Sequence, residues 1–364
     1  MIQRQIDVAL GDRTYPMYAG TDMVSSFAPL CRQHGISESV VLITDRNVAS
    51  YHLQPLLRNL LHHKFQTTTI IVPPGERQKN LHRANAVFTE MLQKKIPRNS
   101  TVIAFGGGVV GDLAGFVAAT YQRGLRVVQV PTTVLAQVDS SIGGKVGVNH
   151  PLGKNMIGAF HQPVFVWMDS DYLKTLPLRE VVCGFGEVVK YGIIQDVELF
   201  EFLETHVDEF LGLDKETVIT VQARCAAIKA NVVSEDEKET GIRIILNCGH
   251  TIAHGLEFAG QYKVMKHGEA VLLGLIAESF IAKEMKLLDG NSYKRITALI
   301  RRVPMKATLS SLKTSDVISA LGRDKKHVGT KLRFVLPTKI GEVKVVEDVD
   351  PALMKKAVKE LLKK

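Results

Sequence analysis

Residues 101–131 read TVIAFGGGVVGDLAGFVAATYQRGLRVVQVP. Thr101–Phe105 is a short apolar run that reads as a buried strand, and Leu113–Tyr121 has helical spacing. Arg126–Val130 is a second strand, stopped by Pro131. Working outward, Val40–Thr44 is a strand ending in Asp45, Val48–Leu61 a helix, Thr67–Val72 a β-branched strand, Leu81–Leu92 a helix and Val164–Asp169 a last strand. The opening MIQRQIDVALG also alternates like a strand and lacks the apolar block of a signal peptide. Alternating strands and helices predict an α/β domain with a doubly wound, mainly parallel sheet.

From Arg179 onward the period changes to long helices: Glu180–Tyr191, Val197–Phe210, Thr217–Glu237, Thr251–Phe258, Glu269–Lys286, Asn291–Arg302 and Pro351–Leu362. Lys331–Leu336 and Glu342–Val346 read as a hairpin turning at Pro337 and Gly341. These patterns place a domain boundary at Leu176–Pro177: residues 1–176 form the α/β nucleotide-binding domain and 177–364 a mostly α-helical metal and substrate domain.

The 364 residues are 45% hydrophobic and 23% charged, the balance of a packed core. No apolar run reaches the roughly 20 residues of a membrane span. Four scattered cysteines without a CxxC pair read as reduced thiols of a cytoplasmic protein. The net charge of +9 fits nucleic acid or an anionic small molecule. Part of it is a solvated C-terminal face of Lys355, Lys356, Lys359, Lys363 and Lys364. Aromatics are only 6% and do not interleave with basic residues, so neither nucleic acid nor membrane is an expected partner.

Gly106–Gly111 satisfies GxGxxG between a strand and a helix, where backbone amides can receive a pyrophosphate. The acid expected about 20 residues later is missing, because that region is Pro131-Thr132-Thr133. Asp45 either binds the adenosine ribose or caps the helix before Val48. Asp112 either favours the helix dipole or faces a cofactor. Residues 137–159, QVDSSIGGKVGVNHPLGKNMIGA, set Asp139, Lys145, Asn149, Lys154 and Asn155 among glycine turns, which reads as an anion cradle in preference to an inert loop.

Downstream, Glu187 and Lys190 fall on one helix face, His250 and His254 are four apart, and His267 opens HGEAVLLGL. Two imidazoles and a carboxylate are the ligand set of a catalytic zinc with an open position. There is no HExxH, which disfavours a zinc protease of that type. A dinucleotide-type loop and an open metal site in one chain point to carbinol oxidation.

The segments PGERQKN, FGGGVVGDLAGFVAATYQRG, VPTTVLAQVDSSIGGKVGVNHPLGKNMIGAFHQP, LKTLPLREVVCGFGEVVKYG, NCGHTIAHGLE, KHGEAV and RDKK together resemble the 3-dehydroquinate synthase family of sugar-phosphate cyclases. The resemblance implies a cytoplasmic homodimer that uses NAD and Zn2+ (or Co2+) to convert 3-deoxy-D-arabino-heptulosonate 7-phosphate, an anionic sugar-acid phosphate, to 3-dehydroquinate and phosphate. The implied route oxidises the carbinol at C5, eliminates phosphate, returns the hydride and closes the ring by an aldol step. The implied metal ligands are Glu187, His250 and His267. The implied NAD residues are Asp45, Glu76, Lys79, the run Gly108, Val109, Val110, Gly111 and Asp112, and Thr132, Thr133, Lys145, Lys154, Tyr172, Lys174 and Thr175. The implied catalytic and substrate residues are Arg123, which in the family reaches the neighbouring subunit's site, Asp139, Lys145, Asn155, Lys190, Lys229, Arg243, Asn247 and Lys325 of the pair Lys325–Lys326. To these it adds His254 as acid–base relay with Glu239 in support. Gly186, Cys248 and Ala253 depart from the family pattern without removing a ligand. A cyclase for a different sugar phosphate, a metal-dependent alcohol dehydrogenase and a non-catalytic basic binding module are the alternatives. Lys229, Arg243 and Asn247 favour a substrate with a carboxylate.

Overall fold

The structure is a computed structural model that describes residues 1–328 and 332–363, with the side chains of 322–328 left out. The chain forms two compact units: Met1–Leu176 with Val218–Lys238, and Pro177–Thr217 with Glu239–Lys364.

In the first unit the elements are β1 (Ile2–Val8), β2 (Tyr15–Gly20), α1 (Val24–Gln33), β3 (Ser39–Asp45), α2 (Arg46–His62), β4 (Gln66–Val72), α3 (Leu81–Gln93), β5 (Thr101–Gly106), α4 (Gly108–Thr120), β6 (Arg126–Pro131), β7 (Lys145–His150), β8 (Gly153–Phe160) and β9 (Val166–Asp169). Seven strands make one sheet in the order β1-β2-β9-β6-β5-β3-β4. All its pairs are parallel except β1 with β2. Every residue of β5 is buried, as a strand covered on both faces requires. The helix behind it, α4, is apolar nearly all round and begins at Gly108, so the second half of the glycine cluster is already helical.

The chain order fixes a switch point. From β3 the sheet grows through β4 on one side and through β5 and β6 on the other. A crevice therefore opens at the carboxyl ends of β3 and β5, the place where such sheets bind ligands.

The second unit contains α5 (Leu178–Ile194), α6 (Val197–Leu211), the start of α7 (Lys215–Glu235), α8 (His250–Ala259), α9 (His267–Glu284), α10 (Gly290–Arg301), α11 (Thr314–Val328), β10 (Arg333–Lys339), β11 (Glu342–Glu347) and α12 (Pro351–Leu362). Caps start several of these helices: Asp196 accepts from Leu199 N at 2.9 Å, and Asp289 accepts from Asn291 N and Ser292 N. Pro351 occupies the first turn of α12 behind Asp350.

At the centre, α5, α8 and α9 approach through glycines. A Cβ on Gly268 would lie 1.7 Å from the Cys183 carbonyl oxygen, one on Gly186 2.5 Å from the Gly268 oxygen, and one on Gly274 2.0 Å from the Gly249 oxygen. Gly249 also has φ +81°, a conformation that glycine adopts freely.

Several expectations are corrected. Residues 218–238, most of α7 and the turn after it, assigned from sequence to the second domain, pack with the first unit, where Ala226, Ala230 and Val233 share a core with Val8, Tyr15, Met17 and Val166. Helical periodicity identifies such a helix but not the surface it covers. The glycine segment after Asp139 is a hairpin: β7 and β8 pair antiparallel, with Lys145 opposite Phe160. Glycines there serve close strand approach, since a Cβ on Gly158 would meet the Val146 oxygen at 2.2 Å. Pro337 lies within β10 opposite Val343, which a two-stranded ribbon with exposed edges tolerates. The strands and helices β2, α1 and α11 have no counterpart in the sequence reading. Lys331, the expected start of the hairpin, lies outside the described residues.

Gly268→Ala is expected to destabilise the protein by about 3 kcal/mol, because the methyl meets backbone that cannot rotate away. Gly290→Ala is the control, with nothing within 4 Å of the added carbon. Urea unfolding measures both. A Gly268→Ala midpoint equal to that of the unaltered chain would mean that α9 is not held against α5 in this way.

Candidate active site

The carboxyl edge of the parallel sheet gathers the residues expected to hold a dinucleotide. Asp45 ends β3, the glycine run follows β5, Thr132 and Thr133 follow β6, and Tyr172, Lys174 and Thr175 follow β9. Thr44 is in register with Phe105, and Gly106 with Pro131, so these ends are neighbours. A Cβ on Gly107 or Gly108 would meet Thr133 Cγ2 at 2.9 Å or Ser140 Oγ at 2.9 Å and push that side chain aside. The backbone at the α4 N-terminus therefore stays bare, with amides available to an anion.

Asp45 Oδ1 accepts from Asn47 N at 2.8 Å and Val48 N at 3.1 Å, so the capping role is realised. Lys79 is buried, and its Nζ donates to Asp112 Oδ2 at 2.6 Å and lies 4.0 Å from Glu76. Burial by itself would lower the Lys79 ammonium, but Asp112 and Glu76 hold it raised. Asp112 thus faces a fixed cation rather than acting on the dipole alone. Glu76 also accepts from Asn149 at 2.7 Å, which ties this cluster to β7. Lys174 pairs with Asp171 at 2.6 Å, Thr175 Oγ1 lies 2.8 Å from His52 Nε2, and Tyr172 is buried.

A second cluster in the same unit surrounds Asp139. Residues Ala136–Ser140 form a π-helical turn, a geometry frequent at functional sites. Lys229, from α7, donates to Asp139 Oδ1 at 2.8 Å and to the Asp139 carbonyl at 2.8 Å. Lys145 and Lys154 lie on β7 and β8. Asn155 has φ +57°, and its amide donates to Asn149 at 2.9 Å. Arg123 is exposed, with φ +70°, beside Gln122 at φ +47°.

In the second unit, Glu187, His250 and His267 converge, with one donor atom from each lying within 4.8 Å of the others. Glu187 Oε1 lies 3.4 Å from His250 Nε2 and 3.3 Å from His267 Nε2. Both histidines are the first residues of their helices, α8 and α9. His250 Nδ1 donates to the Cys248 carbonyl at 3.1 Å, and His267 Nδ1 donates to Glu257 at 3.3 Å. With Nδ1 so engaged, Nε2 is on each ring the nitrogen that faces Glu187 and is left to serve a cation there. An N,N,O set with both tautomers fixed suits a zinc-like cation.

Charged groups crowd around the set. Burial would raise the Glu187 carboxyl, but Lys190, His250 and His267 hold it well below its ordinary range. Burial would lower His267, yet its bonds to Glu187 and Glu257 bring it up to about 10. The Lys190 ammonium rests against Glu187 Oε2 and 4.8 Å above the Tyr191 ring. His254 is exposed, edge-on to His250 at 5.6 Å and stacked with His267 at 6.3 Å. Arg243 is buried, and Asn247 donates to Glu239, whose φ is +59°, at 3.5 Å. Lys325 and Lys326 lie outside the residues whose side chains are described.

Two acids near this set carry no sequence signal as site residues. Glu257 closes the motif GHTIAHGLE, and its contact with His267 depends on how α8 crosses α9. Glu278, fully buried on α9, accepts from Gly249 N at 2.7 Å and Ile252 N at 3.0 Å, supplying from another helix the cap that α8 lacks.

Among the described residues no helix is long and apolar enough to cross a membrane. The family model for the 3-dehydroquinate synthase N-terminal domain matches residues 69–183, and that for the C-terminal domain matches 184–327. The chain is 43% identical to a 3-dehydroquinate synthase of Shewanella frigidimarina, over 98% of this chain and 99% of the relative. It is 43% identical to one of Desulforamulus reducens, over 95% and 97%. Among solved structures it is similar to a 2-epi-5-epi-valiolone synthase of Streptomyces hygroscopicus with NAD+ and Zn2+ bound, at TM-score 0.89, 26% identity and coverage of 97% and 98%. An iron-containing alcohol dehydrogenase of Thermotoga maritima, at 15% identity over 95% and 97% with TM-score 0.66, shares the fold alone. Matched along both halves and alike to these relatives over nearly its whole length, the chain belongs to the 3-dehydroquinate synthase family.

Proposed function

We infer that this chain is a 3-dehydroquinate synthase, a phosphate-eliminating lyase that turns 3-deoxy-D-arabino-heptulosonate 7-phosphate into 3-dehydroquinate and phosphate. The observation that carries this reading is the convergence of Glu187 Oε1, His250 Nε2 and His267 Nε2 in a chain so close to curated synthases. NAD fits the bare α4 N-terminus at the switch point of the first unit, and zinc or cobalt fits the three donors of the second. When bound, NAD supplies the hydride acceptor and later donor, and the divalent ion polarises the substrate hydroxyls.

The chain's own residues bind, orient and move protons. Asp45, Glu76, Lys79, Asp112, Lys145, Lys154, Thr132, Thr133, Tyr172, Lys174 and Thr175 line the cofactor's place. His254, exposed beside both ligating imidazoles, relays the C5 hydroxyl proton, with Glu239 in support. Lys145 and Asn155 hold the phosphate, joined by Arg123 from the second subunit of a homodimer. Lys190, Lys229, Asp139, Arg243, Asn247 and Lys325 orient the carboxylate and hydroxyls. The substrate's phosphate can take the C6 proton itself, so positioning carries much of the acceleration, a contribution of roughly 7–11 kcal/mol when orientation is good. The compartment we propose is the cytoplasm, consistent with four buried cysteines that form no disulfide.

Chelator treatment is expected to abolish activity, and Zn2+ or Co2+ to restore it. His267→Ala is expected to lose metal in elemental analysis while its circular dichroism stays native. Full metal occupancy in that variant overturns the ligand assignment.

Because the hydride returns within each turnover, one phosphate should appear per substrate with nicotinamide absorbance flat over many cycles. Stoichiometric NADH would assign the chain to the dehydrogenases instead.

Arg123→Ala and Lys190→Ala proteins should each be inactive, and mixing them should recover part of the activity through hybrid dimers. Failure of complementation under conditions that exchange subunits, or full activity in a monomer by sedimentation, removes the shared site.

A further inference from the structure

Lys190 creates a difficulty at the metal set. Its ammonium is buried against the one carboxylate among the three ligands, so Glu187 is already matched by a cation before a divalent ion is added. Two neutral imidazoles add no negative charge. A divalent ion bound by these three groups alone would leave positive charge in excess beside the buried Glu187 and Lys190, where uncompensated charge is costly.

The nearest further acid in hydrogen-bond contact with the set is Glu257. It is buried, one turn beyond His254 on α8, and its Oε2 accepts the Nδ1 proton of His267 at 3.3 Å. The equivalent nitrogen of His250 meets only a neutral carbonyl, that of Cys248. The two ligating imidazoles are therefore unequal. A carboxylate behind His267 fixes its ring and makes Nε2 the more basic donor. It also places a second negative charge opposite Lys190 across the set.

We propose that Glu257 is a positioning residue for the metal: it acts through His267, offsets the charge of Lys190 and sets the affinity of the three-ligand site for a divalent ion. This rests on the metal reading above and adds a fourth group that touches no reacting atom. Glu257→Gln keeps the size and a possible acceptor but removes the charge.

The test uses the full chain, stripped of metal and titrated with Zn2+ against a chromophoric chelator. Glu257→Gln is expected to bind roughly 10–100-fold more weakly. Its metal-free melting temperature should match that of the unaltered chain, and the visible spectrum of its Co2+ form should shift. Glu257→Asp should recover part of the affinity. Unchanged Zn2+ affinity in Glu257→Gln overturns the proposal. So does a metal-free melting temperature that falls together with affinity, which is the mark of a packing role. An unaltered chain that takes up neither Zn2+ nor Co2+ overturns the metal reading itself, and this inference with it.

Discussion

The second unit depends on three helices coming together with no side chain between their backbones. At the crossings of α5 with α9 and of α8 with α9, the space for a Cβ is filled by a carbonyl oxygen of the partner helix. Glu187 lies one residue beyond Gly186, His267 one before Gly268 and His250 one after Gly249. The ligands are thus direct sequence neighbours of the closest contacts in the unit. Side-chain packing leaves helices 8–10 Å apart, and small residues at the crossing are what bring short ligands within reach of one another. Gly186 falls at one of these crossings.

That closeness has an electrostatic consequence. His250 and His267 open helices whose N-termini carry partial positive charge, which opposes a cation nearby. The unit answers with acids that are buried or nearly so. Glu269 closes the first turn of α9 and is held by Arg179 at 2.8 Å, and Glu187 and Glu257 face the imidazoles. In the first unit the α4 N-terminus offers backbone amides at the switch point, beside a Lys79 already matched by Asp112 and Glu76.

Much of this was legible in the sequence. The strand–glycine–helix order fixed the parallel sheet, because fully buried strands and a helix apolar all round leave few other arrangements. Glu187, His250 and His267 stood out through residue type, spacing and adjacent glycine. What stayed hidden was what depends on how elements cross. Glu257 and Glu278 look like ordinary helical acids until α8 and α9 are brought together. Lys229 sits in a helix whose period is plain, yet nothing in that period says that it reaches Asp139. The hairpin of β7 and β8 was masked by glycines that read as turns but serve strand proximity. Asp45 kept two readings from sequence, and the structure shows its capping bonds.

The return of residues 218–238 to the first unit bears on how the protein is made. The core around Val8, Tyr15, Met17 and Val166 is completed by Ala226, Ala230 and Val233. A ribosome that has released only the first 176 residues has delivered every strand of the large sheet but not the helix that covers this face. Domains generally fold as units during synthesis, and exposed apolar faces on partial chains invite association. The nascent first unit must therefore wait for α7, which emerges only after α5 and α6. Its completion is tied to synthesis of the segment that carries Glu187 and Lys190, so the large sheet is not covered before that segment exists.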